Sequence, residues 1–498
     1  MIPLSYTHLL QLAMPEVIIV VTALIVLSVD LLFLRNQRTH LRFAVVASLA
    51  SLGCVGGIFR ILQAPEQTNA LNGMFLANPL THLLQIALLS LTIITVLLSV
   101  DSTFTEHVGE FVFLILLATT GMLFLVATQD LLIIFISLEL LSLSLYVLTA
   151  FNKRDSRSSE AALKYFLFGS MSAAFLLYGF SLLYGLSNST NLIQIASAIH
   201  GQSTSPLLAI AIITTVIGFG FKVAAVPFHF WAPDVYESAN IPAVGFIASA
   251  SKVTSFFIFF QVMVVGFAGV EGSAVWRHLV HGWVPILAAI AALSMLLGNF
   301  VAITQSSVRR LLAYSAIAHA GYMLLALVAH TQQSLAALIY YILTYALATL
   351  GAFAVIGVVE KQTGNDHLSS FSGLSRRAPL LSACLFAFIL SLAGIPPLAG
   401  FFGKFYLFLS ALNATPGSNG LLWLVILAIA MSAVSLYYYL QLLKRAFVAD
   451  PLADANDIHV PALTQAVVVL LAAATLLLGC APNLLLRWIL EAIAASSR

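Results

Sequence analysis

The chain has 498 residues, 61% of them hydrophobic and only 8% charged, with mean hydropathy +1.03 and net charge +2. A soluble domain carries about 25% charged residues, so a water-soluble globular protein is excluded. With no basic patch, nucleic-acid binding is excluded too. What remains is an all-α polytopic membrane protein with the lipid bilayer as its solvent.

In chain order, fourteen apolar runs are read as spans: 15–34, 41–62, 78–100, 109–128, 130–151, 161–186, 207–232, 242–269, 282–303, 309–329, 334–358, 380–410, 420–446 and 462–487. Most match the roughly 20 residues a helix needs to cross hydrocarbon. The first run lacks the flanking basic region and cleavage site of a secretory signal and is expected to be retained. Spans 4 and 5 are separated only by Thr128-Gln129-Asp130, a tight hairpin. The three cysteines, Cys54, Cys384 and Cys480, stand singly in apolar runs, without disulfide or metal spacing.

Charge fixes an orientation. Of 21 Lys and Arg, thirteen fall on one side: Arg35, Arg38, Arg42, Lys153, Arg154, Arg157, Arg309, Arg310, Lys361, Arg376, Arg377, Lys444 and Arg445. Arg60, Arg277, Arg487 and Arg498 fall on the other. By the positive-inside rule the first side is cytoplasmic, and both termini are expected to be periplasmic.

Two spans carry breakers. Span 7 contains Lys222, Pro227, His229 and Pro233, and span 12 contains Gly394, Pro396, Pro397, Gly400 and Lys404. Proline removes a backbone donor and clashes with the preceding turn, so both runs are predicted to open at Pro227 and at Pro396-Pro397. Opened backbone is tolerated in a membrane only where protein or water meets it. The breaks lie five spans apart, and five is odd. Spans 4–8 and 9–13 are therefore predicted to be two inverted five-helix repeats, an architecture that places ion sites at its discontinuities. The chain divides into an N-terminal three-helix segment (1–108), repeats over 109–269 and 270–446, and a C-terminal helix over 447–498.

The remaining Lys residues, Lys164, Lys222, Lys252 and Lys404, lie within the spans, as does Glu139. Each such charge costs at least about 2.5–3.5 kcal/mol near the bilayer centre. Lysine and glutamate in low dielectric are also readily moved toward neutral-pH titration. The pattern points to proton or cation movement across a membrane. Lys164 enters its span by only a few residues, where its stem can reach the cytoplasmic surface. His229 and His319 also lie in or beside spans, where packing alone is an equally common role. His278 and His281 have no third ligand, so no metal site is read there. Gly218-x-Gly220 lacks the rest of a dinucleotide fingerprint, and there is no haem, flavin or iron–sulfur signature.

Two stretches carry a resemblance: Pro227-Phe-His-Phe-Trp-Ala-Pro-Asp-Val-Tyr-Glu237 and Ser391-Leu-Ala-Gly-Ile-Pro-Pro-Leu-Ala-Gly-Phe-Phe-Gly-Lys-Phe-Tyr-Leu407. Both resemble the antiporter-like subunits of respiratory complex I (NADH:quinone oxidoreductase), and within them the subunit N (subunit 2) family. Lys404 fits that family better than the M subunits, where a glutamate is expected. The long lateral helix of L subunits is not seen. Glu237-Ser-Ala-Asn-Ile-Pro242 departs from the family's usual turn. The resemblance implies that Glu139 and Lys222 are a coupled pair, Lys252 a central relay and Lys404 the terminal site, with His229 and His319 carrying protons between them. It also implies other membrane-arm subunits as partners, flavin and iron–sulfur clusters in partner subunits rather than here, quinone as substrate of the complex, and a bacterial inner (plasma) membrane. The rival readings are a subunit of a multi-subunit cation/proton antiporter and a structural membrane-arm scaffold.

Overall fold

The computed structural model is described for residues 10–64, 68–153, 155–201, 205–414, 420–451 and 457–496. Arg154 and Arg498 of the charge tally lie outside the described residues. All fourteen runs form helices. Twelve are long and apolar enough to cross a membrane, and the two interrupted runs supply the shorter helices Pro206–Lys222 and Pro379–Ala393. Helix is the natural outcome, because a lone segment in lipid must pair all its own peptide groups.

Spans 8, 10 and 11 form the centre. Ile241–Gly266 and Val308–Ala329 have 100% and 94% of their apolar windows buried, which puts Lys252 and His319 in the middle of the protein. Spans 9 and 10 (Trp283–Ile303 and Val308–Ala329) pack tightly because Gly298 has no side chain. A Cβ there would stand 2.5 Å from the amide nitrogen of Ala318.

The predicted inversion has a structural counterpart. The turn between spans 4 and 5 pairs with the loop after span 6 through an isolated antiparallel bridge, Asp130 to Asn191. Five spans later, the turn between spans 9 and 10 pairs with the loop after span 11 through Ser307 and His367. Five crossings put the two clasps on opposite faces, as inversion requires. The Asp130 carboxylate also caps span 5, accepting from the amides of Leu132 and Ile133. Ser307 and Asp366 are hydrogen-bonded on the other face.

Both predicted breaks are present, with helix resuming at Trp231–Ser238 and Ala399–Asn413. Four details differ from the sequence reading. Span 8 is also interrupted, at Ser249 (φ −110°, ψ −86°), three residues before Lys252. A short helix, Leu192–Ile199, capped by the Asn191 side chain, occupies the loop after span 6. Span 14 ends at Cys480 rather than 487, and a separate amphipathic helix follows over Asn483–Ser496. Pro482 explains that stop, since it cannot donate to the preceding turn. Finally, Arg42, counted as a cytoplasmic-side charge, is not a free surface cation. It is buried against Asp30, making bonds of 2.8 and 2.6 Å, and Asp30 also accepts from the amide of Gly109 at 2.9 Å. This ion pair fastens spans 1 and 2 to the start of span 4.

Candidate functional site

At the first break, helix Pro206–Lys222 closes in a tight turn, with the amides of Val223, Ala225 and Ala224 bonding the carbonyls of Phe219, Gly220 and Phe221, and side chains add further contacts. The Trp231 indole donates to the carbonyl of Phe221 at 2.9 Å. The Lys252 ammonium donates to the carbonyl of Val223 at 3.2 Å and to that of Ala316 on span 10 at 3.2 Å. The amide of Val226 donates to Ser294 Oγ at 2.9 Å. Trp231 is held by stacking on Tyr165, with centroids 4.3 Å apart. The departure noted at 237–242 resolves into a short turn in which Asn240 caps the next helix, accepting from the amide of Ala243.

The second break repeats the device. The Lys404 ammonium donates to the carbonyl of Ala393, last residue of the half-helix, at 2.9 Å, and to Ser432 Oγ at 2.9 Å. It also lies 5.2 Å from the centre of the Tyr322 ring. The amide of Gly400 donates to Ser391 Oγ at 3.1 Å. Span 14 covers this break closely. A Cβ at Gly479 would stand 2.1 Å from the carbonyl oxygen of Pro397.

Between Lys252 and Lys404 runs a buried set of hydroxyl, amide and imidazole groups. His319 bonds through Nδ1 to Tyr341 Oη at 2.6 Å and through Nε2 to Tyr439 Oη at 3.1 Å. Tyr439 is hydrogen-bonded to Ser315, the residue before Ala316, whose carbonyl receives Lys252. Tyr438 donates to the Asn299 side chain at 3.1 Å, and Asn299 donates to Tyr322 Oη at 3.1 Å. Tyr322 in turn carries Lys404 over its ring. This set can pass a proton by exchanging donors and acceptors, because hydroxyls and imidazole serve as both.

The other sequence candidates are placed differently. Lys222 donates to Ser142 on span 5 and lies 5.7 Å from the Tyr146 ring centre. Glu139 makes no ion pair or side-chain hydrogen bond among the described residues, so the expected pair with Lys222 is not in contact. Glu139 is one helical turn from Ser142, yet it shares a stripe with the exposed Leu132, Ile136 and Leu143 and so points toward the lateral surface. Lys164 is partly exposed and ion-paired at 2.8 Å to both Glu160 and Asp234. Asp234 continues to Arg310, which also holds Glu237. Lys164 thus belongs to a surface ion-pair network. His229 is buried against Phe230, with ring centres 4.5 Å apart, and its Nδ1 has no hydrogen-bond partner among the described residues. The structure brings Lys252, His319 and Lys404 into one polar row. It does not join Lys164 or His229 to that row by direct bonds. The sequence reading missed Tyr341, Tyr438, Tyr439 and Asn299. The consecutive tyrosines 340–341 and 437–439, unusual in mid-span, were the available signal.

The family described as NADH:quinone oxidoreductase/Mrp antiporter, TM matches residues 127–434. That range holds both breaks and every sequence candidate for the relay. A protein of Acidobacterium capsulatum named NADH-quinone oxidoreductase subunit N 2 is 53% identical over 98% of this chain and 99% of its own length. The chain belongs to the subunit N family of NADH-quinone oxidoreductases. A solved chain of respiratory complex I from Thermus thermophilus, with bound aureothin, is 34% identical, has a TM-score of 0.78, and matches over 95% of this chain and 98% of its own. A chain of the Mrp complex from Dietzia sp. DQ12-45-1b has a TM-score of 0.82 at 21% identity, covering 98% of each chain, a likeness of fold alone. As a subunit N, this protein is a proton-translocating component of a multi-subunit oxidoreductase in a membrane.

Proposed function

We propose that this subunit N moves protons along the row Lys222, Lys252, His319 and Lys404, with Glu139 as the switch at one end. The observation that carries this reading is the row of buried polar groups between Lys252 and Lys404, with Ser315, Tyr439, His319 and Tyr341 hydrogen-bonded in one group and Tyr438, Asn299 and Tyr322 in a second beside it. A carboxylate beside an ammonium favours its charged form. Withdrawn, it leaves the low-dielectric surroundings to favour the neutral amine. Movement of Glu139 toward or away from Lys222 would load or discharge that lysine. A proton released there passes to Lys252 and on to Lys404. Glu139 faces sideways, which suits coupling to a neighbouring membrane-arm subunit.

The energy comes from quinone reduction in other subunits, which carry the flavin and iron–sulfur centres. This chain does no redox chemistry. The relay occupies two inverted units, 109–269 and 270–446. The face rich in Lys and Arg is cytoplasmic in a bacterial inner membrane, with both termini periplasmic, by the positive-inside rule. Lys164 serves as part of the cytoplasmic ion-pair network, and His229 as a carrier beside the first break.

The test is Lys222→Arg and Glu139→Gln in the whole complex, reconstituted in vesicles. Arginine keeps its proton, so Lys222→Arg should stop pumping. Glu139→Gln should uncouple pumping while assembly stays intact. Full pumping by Lys222→Arg would refute the relay.

A further inference from the structure

Cations are few on the face opposite the Lys/Arg-rich one. Arg487 there is ion-paired with Glu491 at 2.7 Å. Arg60, in the last turn of span 2 (Thr39–Leu62), is half-buried and has no ion pair or side-chain hydrogen bond among the described residues. It lines a small recess together with His82 and Gln85.

At Ala64 and His82 this recess meets a groove of about 690 Å³. That is the size of a ligand cleft. Three elements wall it: Ile61 and Leu62 of span 2, Leu83 and Ile86 of span 3 (Pro79–Ser99), and Leu485 and Trp488 of the C-terminal helix Asn483–Ser496. Its rim is bare, with Leu62 and Trp488 70% and 66% exposed. Span 3 begins at Pro79, so Leu83 and Ile86 lie roughly 6 and 10 Å further along the helix toward the bilayer interior. The site is thus polar and cationic at the membrane surface and apolar below it.

That order of chemistry is the order of a phospholipid. An amphipathic helix lies in the interface with its apolar face against acyl chains, and tryptophan sits at headgroup level. A guanidinium matches the oxygens of a phosphate two at a time. We propose that the groove holds one anionic phospholipid of the adjoining leaflet, its phosphate on Arg60 and its chains against Leu83, Ile86 and Trp488. A neighbouring polypeptide would need an acidic side chain at the recess and an apolar segment in the groove. A phospholipid brings both in one molecule that the bilayer supplies in excess. The lipid ties the N-terminal three-helix segment to the C-terminal helix, which already meet where the amide of Leu80 donates to Ser496 Oγ at 3.2 Å. The assignment is independent of the relay.

The experiment uses the whole complex in vesicles, with Leu83 replaced by the photoreactive p-benzoylphenylalanine. Illumination captures whatever touches that position, and mass spectrometry of this chain identifies it. Phosphatidylglycerol vesicles should give a lipid adduct in about fivefold higher yield than phosphatidylcholine vesicles, the effect of one arginine near a membrane surface. Arg60→Glu should remove that preference and Arg60→Lys should keep most of it. Ala87→Trp, which fills the groove and leaves Arg60 in place, should lower the yield of both adducts. The same probe at Leu470, an exposed residue outside the groove, should capture the two lipids equally. A polypeptide adduct in place of lipid, or equal yields of the two lipids at Leu83, overturns the proposal. So does a preference that survives Arg60→Glu or is matched at Leu470.

Discussion

Lys404 reaches back across its own break to the carbonyl of Ala393, 2.9 Å away, and so binds the end of the half-helix that precedes it. Lys252 does the same for the other break, holding the carbonyl of Val223 at 3.2 Å. Each lysine proposed as a proton site is therefore also the partner of a peptide group that the break sets free. The two roles separate by substitution. Lys404→Arg keeps a permanent cation near Ala393 and should abolish pumping, with the complex still assembled. Lys404→Ala also leaves a buried carbonyl unpaired, at a cost of about 1–3 kcal/mol. Its thermal unfolding should begin at lower temperature than that of Lys404→Arg, as scanning of the purified complex would show.

His319 connects two tyrosines from different spans. Tyr439→Phe removes one link and keeps the ring, so uptake should fall severalfold. His319→Ala removes both links and should fall further, by about a hundredfold or more. Proton uptake per electron in vesicles ranks the pair. Equal, wild-type uptake by both would show that the proton bypasses His319.

The Asp30–Arg42 pair is far from the relay and has a structural task. Removing one member of a buried ion pair costs about 3–5 kcal/mol, because the other charge is stranded. Asp30→Asn or Arg42→Leu should lower the amount of assembled complex recovered from membranes. Asp30→Leu with Arg42→Leu strands neither charge and should recover much of it. Pumping per assembled complex should stay at wild type in all three.

Gly298 sets the spacing of spans 9 and 10. An added Cβ would face backbone on span 10, which cannot give way as a flexible side chain can. Gly298→Ala should destabilise by about 1–3 kcal/mol, typical of overpacking. The measurement is the unfolding temperature of the purified complex.

The fold was legible because hydrocarbon imposes a simple rule on sequence. Apolar runs gave the spans, and Pro227 and Pro396-Pro397 marked the openings. Lys222, Lys252 and Lys404 stood out because an intramembrane charge is expensive. Ser249 gave no sign of interrupting span 8, since serine is common in helices and carries no steric veto. Tyr439, Tyr341 and Asn299 were hidden for a related reason. Where a helix is apolar all round, periodicity cannot tell which residues meet a neighbour. Glu139 shows the same limit, because its position mid-span was clear and its sideways direction was not. Arg42 was counted only as a cytoplasmic-side charge because it lies near the start of a run, and its partner Asp30 lies near the end of another.

Gly479 presses on the carbonyl of Pro397 with no room for even a methyl group. The final span is thus a cover that keeps acyl chains off the peptide groups exposed at the second opening. Lipid offers those groups no hydrogen-bond partner, and each one bared to it costs several kcal/mol. Dryness on the outer flank and polarity on the inner one are what let an interrupted helix persist at that depth.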